Sequence, residues 1–168
     1  MNRHYILPAL VCGFGVSVFS AFPALEGIIC CLLLPAATYI SIILYQKSSG
    51  DTTTVETNTA LLIGLLTGLF AAIFSSAIDI LITYISKNSP LIEAIPTTEE
   101  MMKNLNLGPA AENVMDMFRN IADEIRETGF SVFYTFYVLF SKLIVDVIFG
   151  IIGGLVSMMI INKRQKEI

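Results

Sequence analysis

Three ionisable residues, Asp79, Lys142 and Asp146, stand inside long apolar runs, and their types suit two kinds of chemistry. Two carboxylates beside an ammonium group can hold and release a proton or a cation, with the lysine setting the carboxylate pKa values. The same groups can lock two helices together as a structural ion pair, and Lys142 and Asp146 are themselves in reach at i, i+4. An unpaired charge in hydrocarbon costs at least about 2.5–3.5 kcal/mol, so such groups pair and face an interior. Both readings require helices that bring Asp79 to Lys142 and Asp146.

Other chemistry lacks its parts. The single histidine, His4, is at the amino end, so a His-based catalytic dyad or a His-rich metal site is not expected. Cys12, Cys30 and Cys31 fall in apolar runs without CxxC spacing and read as buried packing residues. Ser75-Ser76 has no His or Lys nearby in sequence, and no phosphate-binding Gly loop or HExxH is present. The chain is therefore expected not to be an enzyme and to carry neither cofactor nor metal. A net charge of −4, with only 14% charged residues, is the wrong sign for a nucleic-acid partner.

The elements that must position the charges are membrane-like. Of 168 residues, 55% are hydrophobic, and mean hydropathy is +0.74. A soluble domain of this length cannot hide that much apolar surface, which makes the lipid bilayer the expected solvent. The expectation is an all-α integral membrane four-helix bundle, a single domain over 1–168, with spans near 5–23, 27–46, 59–86 and 136–161. The first turn carries Pro23 and Glu26. The last apolar stretch, from about 130 to 161, is roughly 48 Å long at the helical rise, so its aromatic start stands in or above an interface. Lys and Arg gather on one side (Arg3, Lys47, Lys163, Arg164, Lys166), so both termini are expected in the cytoplasm.

The polar insert, about 87–129, then faces outside the cytoplasm. Within it Pro96-Thr97-Thr98-Glu99-Glu100 reads as a helix start. Gly108-Pro109 closes that helix and opens an amphipathic one, with Val114, Phe118, Ile121 and Ile125 on its apolar face. That face suits the protein's own fold or a partner protein better than anionic lipid, because the helix is acidic.

Two stripes of small and polar residues share this logic. Gly64, Gly68, Ala72, Ser75, Asp79 and Thr83 lie on one face of the third span, and Lys142, Asp146, Gly150, Gly153 and Ser157 on one face of the fourth. Small residues let backbones approach, and Gly64 with Gly68 is a GxxxG pair. Laid antiparallel, the two stripes place Asp79 opposite Lys142 and Asp146.

The runs SAFPALEGIICCLLLPAATYISIILYQKSSG and NTALLIGLLTGLFAAIF resemble small bacterial four-span membrane proteins of unknown function. Pro23, Cys30-Cys31, Gly64 and Gly68, the methionines at 101, 102, 115 and 117, and Gly150 with Gly153-Gly154 carry the resemblance. Pro35-Ala36-Ala37 stands where such families usually have Gly in the second span. The resemblance implies a bacterial inner membrane and no particular activity. The expected role is a non-enzymatic structural or accessory one, through helix association in a homo-oligomer or a larger membrane complex. The alternative is a small ion- or proton-coupled transporter or channel built on Asp79, Lys142 and Asp146.

Overall fold

A computed structural model describes residues 3–20, 32–50, 54–105 and 109–166. Among them are six helices and no strand: α1 (Arg3–Ser20), α2 (Leu34–Ser49), α3 (Thr57–Ser86), α4 (Pro90–Leu105), α5 (Pro109–Thr128) and α6 (Val132–Lys166). Two of these, α3 and Val132–Gln165 of α6, are long and apolar enough to cross a membrane, and α1 carries a shorter apolar helix over Tyr5–Ser20. The turn with Pro23 and Glu26, and the pair Cys30-Cys31, lie outside the described residues.

Local chemistry explains the boundaries. Pro35 occupies the first turn of α2, where its missing N–H costs nothing, and Gly50 ends that helix at φ 69° in the left-handed region. Helix α4 starts at Pro90 rather than at Pro96, which lies inside it. The buried Ser89 supplies the cap: its hydroxyl accepts the Ile92 N–H at 3.4 Å, and the Asn88 amide donates to Glu93 at 3.0 Å. That cap and the packing of Leu91 and Ile92 outweigh the interior proline, which costs about 3 kcal/mol.

The chain divides into two compact units, Met1–Ile78 with Leu139–Ile168, and Asp79–Val138. In the first unit, α1 packs on α2. The two run antiparallel: Tyr5 stacks on Tyr45 with ring centroids 4.6 Å apart, while Val16 clusters with Leu34 and Ala37. Helix α3 runs antiparallel to α2, since Ala60 and Ile63 pack with Ile42 while Thr67 lies beside Ser41. At one end of this unit the loop into α3 is clamped to the end of α6. The Val55 N–H donates to Asn162 Oδ1 at 2.8 Å, and Asn162 Nδ2 returns a bond to the Val55 carbonyl at 3.0 Å. Arg164 donates to the Tyr39 hydroxyl at 3.4 Å at the same end.

The second unit has an apolar cluster of its own, with charges outside it. Ile121 and Ile125 of α5 meet Tyr134 and Val138 at the start of α6, with Leu91, Ile92 and Phe118 around them. Met115 and Ala122 are buried on the same face of α5, while Val114 is exposed at its edge. Opposite that face, Arg119 bridges to Glu99 of α4 and to Asp116, and Glu99 raises the guanidinium pKa further above its ordinary value. The corner between α5 and α6 needs glycine twice over. Gly129 has φ 79°, and a Cβ there would lie 2.6 Å from the Tyr84 carbonyl oxygen. Lys87 completes the corner by donating from Nζ to the Glu127 carbonyl at 2.9 Å.

Ile125→Ala is expected to cost about 2–5 kcal/mol and to strip hydrogen-exchange protection from the amides of α4 and α5. Arg119→Ala, at an exposed ion pair, is expected to leave that protection nearly unchanged.

Candidate functional site

The tightest packing in the first unit is where α3 crosses α6. A Cβ on Gly150 would lie 2.5 Å from the Gly64 carbonyl oxygen, and a Cβ on Gly64 would collide with the carbonyl of Gly150. One turn along, a Cβ on Gly68 would collide with the Asp146 carbonyl and lie 3.0 Å from the Val147 Cα. One turn the other way, Gly154 meets Ala60 and Gly64. Each step of four residues up α3 is thus a step of four down α6, and the backbones touch with no side chain between them.

That register places the candidate residues. Asp146 is held at the level of Gly68 and is 8% exposed. Lys142, one turn earlier, is half-buried and falls level with Ala72, which is fully buried. Ser75, also buried, donates back to the Ala72 carbonyl at 3.3 Å. Asp79 is the first residue of the second unit. Asp79, Lys142 and Asp146 each have an interaction partner.

Gly153 does not join the α3 face. Gly153 turns to α2, where a Cβ would collide with the Thr38 hydroxyl and lie 2.7 Å from the Pro35 Cα. The reason is helical geometry: residues 146, 150 and 154 form one i+4 row, and 153 is rotated off it by a turn's remainder. Gly154, on the row itself, is the residue that spacing by three passes over. Gly13 of α1 is a second such omission, since its Cβ would lie 2.8 Å from the Phe70 Cβ and 2.9 Å from the Ala71 nitrogen. The signal for both is a small residue at i, i+4 or i, i+3 from another, which many apolar helices contain without packing on it.

Hydroxyls fill the rest of this interior. Ser17, Thr38, Ser41, Thr67, Ser75, Ser76 and Ser157 are all buried. Thr38 donates to the Leu34 carbonyl at 2.8 Å, Thr67 to Ile63 at 2.8 Å and Ser157 to Gly153 at 2.6 Å. Between helices, the Thr67 oxygen lies 3.4 Å from that of Ser41, and Cys12 is in hydrogen-bond reach of Ser41. Hydroxyls that return a bond to the carbonyl one turn back satisfy themselves within their own helix, which is the chemistry of packing. Among the described residues no group of three or more His, Cys, Asp or Glu is placed to hold a metal ion.

No family model, curated protein or solved structure matches this chain.

The glycine row makes a sharp expectation. Gly68→Ala and Gly150→Ala should each destabilise by about 1–3 kcal/mol, because the methyl group meets backbone that cannot step aside. Gly15→Ala on α1, where a Cβ meets open space, should be neutral or slightly stabilising. Denaturation of the detergent-solubilised protein, followed by circular dichroism, separates the two outcomes.

Proposed function

We propose that the chain is a multi-pass integral membrane protein with a structural or accessory role, acting through helix association in a homo-oligomer or a larger membrane complex. The observation that carries this reading is the apolar exterior of the long helices. Leu7, Val11 and Phe14 of α1, Leu62 and Leu65 of α3, and Ile144, Ile148 and Ile152 of α6 all point outward. Glycine, serine and threonine share the interior with Leu34, Ile42 and Ile63. An apolar exterior this extensive needs an apolar solvent, and small residues at the contacts suit helices that lipid already surrounds.

In this reading α1, α2, α3 and α6 are four spans of a bundle. Tyr5, Tyr45, Val55 and Asn162 gather at one end of the first unit, so the start of α1 and the end of α6 share a side. Lys47, Lys163 and Arg164 belong to that side, which supports its cytoplasmic placement, with residues 87–129 on the other face. Association is supported by α1, whose exposed Leu7, Val11, Phe14 and Val18 repeat at spacings of four, three and four.

The test is topological. Single cysteines at Thr54 and at Asn113, in a background without native cysteine, should label from opposite sides of sealed membranes. Labelling from one side, or release of the chain by alkaline carbonate, counts against the reading. A detergent-extracted chain that elutes strictly as one copy and retains no other protein removes the association role.

A second reading is favoured by the burial of Asp146. A carboxylate in a helix-lined interior, one turn from Lys142, suits an ion- or proton-coupled transporter. Reconstituted vesicles should then carry a flux that Asp146→Asn abolishes, and unchanged flux in that variant sinks this second assignment.

A further inference from the structure

At the end of the first unit where Tyr5 stacks on Tyr45, two cavities share Tyr5 as a wall. One is a groove of about 430 Å³ lined by Tyr5, Leu61, Leu62, Leu65, Leu66 and Ile151, with Asn58 at its head. The other, about 240 Å³, is polar and is lined by Tyr5, Tyr45, Gln46, Thr54, Glu56 and Thr59. Tyr5 belongs to both walls, and the start of α3 lines both, with Asn58 on the groove and Thr59, together with Glu56 just before the helix, on the polar cavity. The groove alone falls in the range of roughly 300–1,000 Å³ usual for small-molecule sites.

We propose that these cavities bind one phospholipid whose headgroup is a primary ammonium, with an acyl chain in the groove and the ammonium group at Glu56. The proposal rests on the membrane reading above. Polarity gives the ligand its shape: an apolar groove beside a polar chamber fits an amphiphile. Direction agrees with it. The groove follows α3 from Asn58 to Leu66, about 12 Å at the helical rise, and the polar chamber lies where α3 begins and α2 ends. A lipid seated there has its head at the helix ends and its tail toward the middle of the bundle.

Charge and hydrogen bonding select the headgroup. Glu56 brings the one carboxylate among the described lining residues of the chamber, and none of them is cationic. Around it are hydroxyl and amide oxygens of Tyr5, Thr54, Thr59 and Gln46. A primary ammonium has three N–H donors, which this set of acceptors can satisfy. A quaternary ammonium has none to give, and a glycerol head brings no positive charge to Glu56.

Native mass spectrometry of the full chain in a nonionic detergent tests this with phosphatidylethanolamine, phosphatidylcholine and phosphatidylglycerol of identical acyl chains. Phosphatidylethanolamine adducts should persist at about tenfold lower lipid concentration than the other two, the scale of one charged hydrogen-bonded contact. Glu56→Gln should bring it to the level of phosphatidylcholine. Leu65→Trp, at a position 42% exposed, should fill the groove and weaken all three. Equal retention of the three lipids by the unaltered chain overturns the proposal, and so does a preference that survives Glu56→Gln. Should Leu65→Trp not fold, Glu56→Gln at the surface still decides. A chain that stays dispersed without detergent overturns the membrane reading instead, so the two failures are distinct.

Discussion

The backbone contact between α3 and α6 is the constraint on which the first unit depends. Gly64, Gly68, Gly150 and Gly154 remove the side chains that would hold the two helices at an ordinary separation. Once the backbones touch, register follows: a shift by one turn would drive Asp146 or Lys142 into a space where not even a methyl group fits. The row also decides which residues are left for α2. Gly153, turned off the row, takes Pro35 and Thr38, and Gly13 lets α1 reach Phe70 and Ala71. Glycine thus works at the contacts of α6 with α3 and α2 and of α1 with α3.

The two units hold the same kind of element together in different ways. In the first, close approach at glycine and self-satisfied hydroxyls stand beside the apolar clusters of Leu34, Ile42 and Ile63. In the second, Ile121, Ile125, Tyr134 and Val138 form an apolar cluster, and Glu99, Asp116 and Arg119 lie outside it. The apolar exterior of the long helices is the physical basis of the proposed membrane role. Two long helices each contribute to both units, with α3 ending and α6 starting in the second.

Much of this was legible in residue patterns. The amphipathic α5 and its start at Pro109 follow from the Gly108-Pro109 pair and apolar spacing, because such a helix needs little beyond its own sequence and one apolar neighbour. The Gly64 and Gly68 face is legible for a similar reason: GxxxG on an apolar helix has few other uses. The start of α4 was less so. Pro96 is a strong local signal, but the Ser89 cap and the burial of Leu91 and Ile92 override it, and that burial exists only once α5 and α6 are in place. The same holds for Gly154 against Gly153, and for the Asn162 clamp on Val55, which joins residues 107 apart.

By itself, then, the sequence determined the helical class, the apolar character of the long helices, the polar insert and the residues small enough to sit at contacts. These are properties of composition and of a 3.6-residue period, and they need no partner. Only the tertiary structure decided which small residues meet, that Asp146 lies at Gly68 and Lys142 at the level of Ala72, and that a polar chamber and an apolar groove share Tyr5 as a wall. The reason is that register and cavities are properties of pairs of helices. A pattern on one helix offers several faces and several offsets, and the choice among them falls to the backbone contact that a Cβ would forbid.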